Sequence, residues 1–329
     1  MINLLAGASV ENLYAYITTG IVGMWFVGYG LFWLGSRYIA NTFLKPGHQP
    51  LVKTPRDYGL NYEDVTVTTE DGVNLAAWLI RGTNDKFIIM GHPGRFTKYG
   101  FSVGHEAFIK SGFDRDVEFI PGVKHLVNAG YTVLMYDQRN HGESSDTPDN
   151  RPHDLPANVY LDTLAVVKYA STHADFEHMD IGLYGICQNS MINMIALSNA
   201  KQQLLDAKVR AMTIIQPHGI ERFYDRFGVP KAIVSKANEF YIKANATPMS
   251  GWNPVNFAGD ITIPTLFVQN VNDPWTDMNH VKDIYNRIPA EKEALWIDEK
   301  ETHRFIAYNW FNDHPEQLVN FFDEKLCNR

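Results

Sequence analysis

A cysteine stands at the tip of a strand-to-helix turn, in the segment of this 329-residue chain whose spacing best fits covalent chemistry. Residues 183–190 read Leu-Tyr-Gly-Ile-Cys-Gln-Asn-Ser, which places Cys187 between Gly185 and Asn189. Small residues two positions before and after a nucleophile are typical of the nucleophile elbow, a strained turn that exposes the reactive side chain above a sheet. Asn189 replaces the usual second glycine. We expect it to be tolerated because asparagine adopts unusual backbone angles more readily than most residues.

Two other interpretations of this segment are open. A buried cysteine is often a small apolar core residue, and Ser190 is a rival nucleophile that lies off the apex of the turn. We favour Cys187, whose thiol would need a base because a free thiol is mostly neutral at pH 7. The chain has two cysteines, Cys187 and Cys327, too few for a disulfide framework or a four-thiolate zinc site. No cluster of His, Cys, Asp and Glu in the sequence has metal-ligand spacing either, so we expect no metal and no cofactor.

Four further motifs surround this turn in a fixed order. They are Gly91-His92-Pro93-Gly94, the run Asp-Gln-Arg-Asn-His-Gly-Glu-Ser at residues 137–144, Asn270-Val271-Asn272-Asp273-Pro274, and Lys300-Glu301-Thr302-His303. With the elbow, they make residues 55–329 resemble the α/β-hydrolase superfamily, where nucleophile, acid and histidine follow in that order. The resemblance predicts an α/β-hydrolase fold, with a mostly parallel central sheet, helices on both faces and a lid insertion.

The resemblance implies a catalytic triad of Cys187, His303 and Asp273. His303 would take the thiol proton and later protonate the leaving group, and Asp273 would orient the imidazole. Asp277 is a rival for the acid.

The resemblance also implies an oxyanion hole. Its donors would be the N–H of Gln188 and a second N–H from Gly94 or Arg95, because Pro93 has none. The other motif residues are predicted to hold loops together: His92, Asp137, Arg139 and His141.

The elements that must position these residues follow a repeated strand–helix pattern from about residue 61. Alternating residues at 62–69 and 73–80 predict a β-hairpin around Gly72. Further strands are predicted at residues 86–90, 131–136, 181–184, 209–215, 265–269 and 294–297. Helices are predicted at residues 123–129, 157–172, 190–198, 278–287 and 315–325. Such alternation indicates a mostly parallel sheet that helices cover on both faces.

Two long insertions interrupt this pattern, a loop at residues 94–119 and a lid at residues 217–260 with a helical patch at 231–244. Long excursions in a compact α/β domain are usually functional, and both leave the ends of strands where open α/β sheets bind ligands. The first insertion is rich in phenylalanine, which favours a lipophilic acyl substrate: Phe96, Phe101, Phe108, Phe113 and Phe119.

The N-terminal segment is uncharged from residue 13 to residue 34, long enough to cross a bilayer as a helix. We predict a tail at residues 1–12, a single transmembrane helix at 13–35, a linker at 36–60 and the hydrolase domain at 61–329. Basic residues follow the segment and none precedes it, which puts the catalytic domain on the cytoplasmic side. A signal peptide, or an apolar helix docked on the protein itself, are the alternatives.

The net charge of −8 is unfavourable for nucleic-acid binding, so we expect no such partner. The resemblance is to dienelactone hydrolases and to thioesterases with a cysteine nucleophile that release acyl or polyketide chains. It implies a membrane-anchored hydrolase or acyltransferase acting on an ester, thioester or lactone through a thioester acyl-enzyme. The alternatives are an acyltransferase or cyclase that uses a non-water nucleophile, and a non-catalytic ligand-binding protein. A carrier protein and a second copy of the chain stay open as partners.

Overall fold

The computed structural model describes residues 10–104 and 113–326, so Phe108 and Cys327 lie outside the described residues. The strands are β1 Glu63–Thr68, β2 Asn74–Ile80, β3 Lys86–Gly91, β4 Gly100–Phe101, β5 Val117–Glu118, β6 Thr132–Tyr136, β7 Asp180–Ile186, β8 Val209–Ile215, β9 Thr265–Asn270 and β10 Lys292–Ile297. The helices are α1 Val10–Leu44, α2 Ile120–Asn128, α3 Tyr160–Thr172, α4 Gln188–Asp206, α5 Ile220–Arg226, α6 Lys231–Lys243, α7 Met278–Arg287, α8 Phe305–Asp313 and α9 Glu316–Lys325.

The central sheet has eight strands in the order β1-β2-β6-β3-β7-β8-β9-β10, and β4 and β5 form a separate pair. The predicted hairpin is confirmed, because β1 pairs antiparallel with β2. Strand β2 is also antiparallel to β6. All later neighbours, from β6 to β10, run parallel, which confirms the predicted mostly parallel sheet.

Hydrophobic side chains cover the sheet on both faces, in two separate clusters. Residues of α2, α8 and α9 pack on one face, and residues of α3, α4 and α7 pack on the other. Strand β7 is buried at every position, as expected for a strand covered on both faces. Its carboxyl end is therefore held rigidly at the centre of the sheet, directly before Cys187.

Helix α8 was not among the predicted elements. Its segment, Phe-Ile-Ala-Tyr-Asn-Trp-Phe-Asn-Asp, is apolar on almost every side, so helical periodicity is weak there. The helix is nevertheless buried through Phe305, Ala307, Tyr308 and Phe311. It matters for the site because it begins directly after Arg304.

Helix α1 is longer than the predicted membrane segment and runs through residues 36–44, which we expected to form a linker. The linker prediction is wrong for these residues because Ser36, Ala40 and Leu44, spaced four apart on one face, are buried. Ala40 and Leu44 join a third hydrophobic cluster with residues of α4, α5 and α6. The C-terminal part of helix α1 therefore packs against the helices of the lid. By length and composition it is also able to cross a membrane.

Candidate active site

The turn at Cys187 has the strained backbone that the sequence predicts for an elbow. Cys187 has φ 54° and ψ −112°, outside the regions that non-glycine residues favour. Its N–H donates to the carbonyl of Ile215 at 2.7 Å, which ties the turn to β8. Gly185 is needed because a Cβ there would lie 3.0 Å from the Ser190 Cα. Cys187 therefore stands above the sheet, at the start of α4.

Ser190, the rival nucleophile, is a buried structural residue. Its hydroxyl donates to the carbonyl of Gly185 at 2.9 Å and accepts the N–H of Ile215 at 3.0 Å. These bonds occupy the side chain on the sheet side of the turn. The Ser190 hydroxyl therefore stabilises the elbow through these two hydrogen bonds.

Asn189 is accommodated for a different reason from the one we expected. The positive φ falls on Cys187, whereas Asn189 lies within helix α4. Its amide donates to the Tyr136 hydroxyl at 2.9 Å and accepts from the Asn193 amide at 3.1 Å. Space for it comes from Gly91, where a Cβ would lie 2.1 Å from the Asn189 amide nitrogen. The asparagine at position 189, where the family has a glycine, therefore fits because position 91 on β3 is a glycine.

Two nitrogen-bearing side chains lie beside the Cys187 sulfur. Arg304 Nη2 is 3.5 Å from Sγ, and His218 Nδ1 is 3.8 Å from it. Arg304 Nη2 also donates to His218 Nδ1 at 2.9 Å. Burial, and then the neighbouring Arg304 charge, lower the pKa of His218 to about 3, so the imidazole is neutral at physiological pH. Sequence reasoning placed His218 only within the lid and did not consider Arg304.

Arg304 is a buried cation shared among several acceptors. It forms an ion pair with Asp273, which also accepts the Thr276 hydroxyl. It donates to the carbonyl of Gln216 and to the Tyr308 hydroxyl, both at 2.7 Å. A buried charge requires such pairing. The carboxylate predicted to be the catalytic acid is thus held by an arginine in this structure.

The structure does not bring His303 to the sulfur. Its Nε2 lies 2.9 Å from an oxygen of Asp114, and its Nδ1 accepts the N–H of Phe305 at 3.0 Å. Its carbonyl accepts the amide of Asn270, at the end of β9. The next residue, Arg304, points into the site where the resemblance places the histidine. Asp277, the rival acid, caps α7 by accepting the N–H of Asn279.

Backbone donors surround the space above the sulfur. Gln188 is the first residue of α4, where a helix has no internal acceptor for its N–H. The N–H of Arg95 donates to His141 Nε2 at 3.0 Å. Gly94 lies against Gln188, since a Cβ there would be 2.2 Å from its side-chain oxygen. In the described part of the chain, the Gly94 N–H has no hydrogen-bond acceptor, and Gly94 lines the same cavity as Cys187.

The other motif residues hold the surrounding loops, as predicted. Arg139 contacts Asp71 through both terminal nitrogens and Asp162 through Nε. Asp137 accepts the ammonium and backbone N–H of Lys98 at 2.7 and 2.6 Å. These ionic contacts tie the turn after β6 to the hairpin, to α3 and to the 94–119 insertion.

A cavity of about 210 Å³ opens directly over Cys187 and is lined mainly by apolar side chains. The lid contributes Phe223 and Phe227, and the 94–119 insertion contributes Phe96 and Phe113. Helix α1 contributes four residues: Tyr38, Ile39, Thr42 and Phe43. Phe101 and Phe119, also predicted to favour a lipophilic substrate, pack on Phe96 within the core. Among residues 10–104 and 113–326, no group of three or more His, Cys, Asp or Glu could hold a metal ion.

Comparison with known proteins identifies the class of fold. The esterase Pf2001 of Pyrococcus furiosus superimposes with a TM-score of 0.62 at 22% identity, covering 85% of this chain and 97% of the esterase. The α/β hydrolase GrgF of Penicillium sp. sh18 superimposes with a TM-score of 0.54 at 15% identity, covering 81% of this chain and 99% of GrgF. The chain therefore has the α/β-hydrolase fold.

One sequence relative is a membrane protein. The uncharacterized membrane protein YNL320W of Saccharomyces cerevisiae is 21% identical over 250 residues, 74% of each chain. No protein-family profile matches the chain. The apolar helix α1 and this relative together suggest association with a membrane.

Proposed function

We propose that this protein is a membrane-anchored acyl-transfer enzyme in which Cys187 is the nucleophile. One observation carries the proposal: a strained cysteine faces an apolar cavity, with a guanidinium 3.5 Å from its sulfur. An arginine can compensate the negative charge of a thiolate, which is the reactive form of cysteine. The substrate is a lipophilic ester, thioester or lactone, since the cavity wall is mostly apolar and aromatic.

The first half-reaction needs a base, and His218 has the shortest separation from the sulfur among the imidazoles described. Transfer of the thiol proton to His218 Nδ1, which requires Arg304 Nη2 to release its hydrogen bond to that nitrogen, gives a thiolate and an imidazolium beside Arg304 and Asp273. These four charges sum to zero, so the buried site gains no net charge. The thiolate attacks the carbonyl carbon, and the backbone N–H groups of Gln188 and Gly94 hold the resulting oxyanion.

Collapse of the tetrahedral intermediate breaks the bond to the leaving group, which takes the proton from the imidazolium. The low pKa makes His218 a weak base, so its uptake of the thiol proton depends on the thiolate forming beside Arg304 in the same step, and it makes the imidazolium a strong acid toward the leaving group. The product is a thioester on Cys187. Water or another nucleophile then attacks that thioester, His218 accepts its proton, and the thiol is restored. Hydrolysis and transfer differ only in this acceptor.

His303 is the second candidate for the base, with Asp273 as its partner. This assignment requires His303 to exchange Asp114 for the sulfur and Asp273 to release Arg304. Its support is the motif order in the sequence, whereas support for His218 is contact with Cys187. The two assignments make different predictions for single variants.

Turnover of a chromogenic acyl ester by the wild type, and its loss in Cys187→Ala, tests the nucleophile. Full turnover by Cys187→Ala would refute the proposal, and a ligand-binding protein would bind the ester without turnover. Iodoacetamide labelling of Cys187 in His218→Ala and His303→Ala then identifies the base, because only loss of the true base slows labelling across neutral pH. His178→Ala, at an exposed position, is the control.

Membrane anchoring through α1, with the catalytic domain in the cytoplasm, is part of the proposal. It is supported by the apolar helix and by the basic residues that follow it. The membrane fraction should retain the protein after carbonate washing, and protease added outside sealed cells should leave the catalytic domain intact. Release by carbonate, or cleavage from outside, would contradict the anchor or its orientation respectively.

A further inference from the structure

Helix α1 changes its surroundings along its length, which locates the edge of the bilayer. Every side chain from residue 12 to residue 29 is exposed, and partial burial begins at Gly30. A helix rises about 1.5 Å per residue, so the exposed part of α1 from Asn12 to Tyr29 spans about 27 Å. That length is close to the thickness of the hydrocarbon core of a bilayer, which is about 30 Å. The rest of α1 packs against the remainder of the protein.

This second part of α1 is attached firmly to the lid. The Trp33 ring packs edge-on against Phe240 of α6 at 5.6 Å, and the Tyr224 hydroxyl of α5 donates to the Ile39 carbonyl at 3.0 Å. Phe43 packs against Tyr224 at 6.2 Å. The same stretch forms one wall of the cavity over Cys187. Helix α1 is thus both the apolar segment and a wall of the site.

The cavity opens close to the membrane side of the molecule. Tyr38 lines the cavity and is still 45% exposed, so the cavity reaches the exterior beside it. Tyr38 lies nine residues after Tyr29, about 14 Å along the helix axis. The polar layer of a bilayer adds roughly 5–7 Å on each side. The opening therefore lies about 7–9 Å beyond the headgroups, on the helix that crosses them.

We propose that the substrate is a membrane-resident amphiphile whose acyl chain enters along α1 and packs on Ile39 and Thr42 while its carbonyl reaches Cys187. This inference rests on the proposed acyl transfer at Cys187 and names the source and class of its substrate. A chain that leaves the bilayer beside α1 passes from lipid into an apolar cavity after crossing the polar layer and a further stretch of about 7–9 Å along the helix. A water-soluble ester needs no contact with α1.

The experiment uses the full-length protein in phosphatidylcholine vesicles, with 4-nitrophenyl acetate and 4-nitrophenyl palmitate as substrates. Ile39→Trp fills the cavity at the α1 wall, and Leu31→Trp is the matched control at a position that is 66% exposed and lies outside the cavity. We expect Ile39→Trp to lower kcat/KM for the palmitate about tenfold relative to kcat/KM for the acetate. Leu31→Trp should change neither.

Equal effects of Ile39→Trp and Leu31→Trp on the palmitate, in a folded Ile39→Trp protein, would overturn the inference. Failure of the proposed function looks different, because then the wild type cleaves neither ester or Cys187→Ala cleaves both. A second measurement needs neither turnover nor a variant. The probe is a palmitate that carries a diazirine at the methyl end of its chain. Photolysis of vesicles that contain the probe and the wild-type protein should label residues 38–43. Labelling confined to residues 12–29, or to the catalytic core away from α1, would also overturn the inference.

Discussion

Three buried histidines predict that this protein loses its stability steeply below pH 6.5. His92, His141 and His153 are at most 1% exposed, and their rings follow one another at 5.2 Å. Burial lowers the pKa of His92 and of His141 to about 3, and lowers that of His153 well below its ordinary value. In the unfolded chain each pKa returns to about 6.5.

The unfolded chain therefore binds more protons than the folded one between about pH 3 and pH 6.5, and acid favours unfolding. From pH 7 to pH 5, His92 and His141 each lower the free energy of unfolding by about 2 kcal/mol, or about 4 kcal/mol together, and His153 acts in the same direction. Asp162 acts in the opposite direction: burial raises its pKa to about 6, which returns about 1.4 kcal/mol over the same range. A typical domain has only about 5–15 kcal/mol in total.

The loss has a structural cause in the site. His92 Nε2 accepts the N–H of Gln138 at 3.1 Å, and His141 Nε2 accepts the N–H of Arg95 at 3.0 Å. Protonation converts each of these nitrogens into a donor that faces another donor. The loop beside the predicted oxyanion hole should therefore loosen with the fold, and activity should fall over the same pH range.

Urea unfolding in a nonionic detergent, followed by near-ultraviolet circular dichroism at pH values from 7 to 5, measures this dependence. Below pH 6, His92 and His141 contribute about 2.7 kcal/mol per pH unit to the slope, Asp162 offsets about 1 kcal/mol per pH unit of this, and His153→Gln should make the measured slope shallower. His178→Gln, at an exposed histidine, should leave it unchanged. A free energy of unfolding that stays constant from pH 7 to pH 5 would refute the reasoning, because these imidazoles would then titrate alike in both states.

Three substitutions test the contacts that shape the elbow and its supporting loop, each by thermal unfolding in the same detergent. Gly185→Ala should destabilise by about 2 kcal/mol, since its Cβ meets the α4 backbone at 3.0 Å; an unchanged transition would show that the turn can widen. Asn189→Ala should cost about 2 kcal/mol by leaving the buried Tyr136 hydroxyl without its amide donor. Arg139→Lys should cost about 3 kcal/mol because a lysine cannot reproduce the paired contacts to Asp71, and a loss under 1 kcal/mol would contradict that role.

The sequence predicts the scaffold of this protein well because local patterns decide it. The alternation of strands and helices, the hairpin and the elbow all follow from residues close together in the chain. The elbow at Cys187 is predicted by eight consecutive residues, and the structure shows its strained turn. Asn189 could not be explained in the same way, because the space it needs is provided by Gly91 on another strand.

The surroundings of the sulfur depend on the directions in which adjacent side chains point. Hydrophobic periodicity in the sequence does not predict these directions within a loop. His303 and Arg304 are neighbours in sequence, yet one contacts Asp114 and the other contacts Cys187. A signal for His218 does exist in the sequence, since it follows β8, the strand beside the elbow. The contact of α1 with the lid joins residues about 200 positions apart and had no comparable signal.

The lid and α1 together explain why a long apolar helix can be more than an anchor. An anchor alone needs only the 30 Å of apolar helix that spans a bilayer, and here the helix continues to Leu44 inside the third hydrophobic cluster. Moving α1 would take the Tyr224 hydroxyl bond and the Phe43 contacts away from the lid, and it would open one side of the cavity. If the inference about α1 holds, detachment from the membrane that disorders α1 should impair long-chain turnover before it affects the elbow. The elbow is held by β7 and β8, far from that helix in the chain.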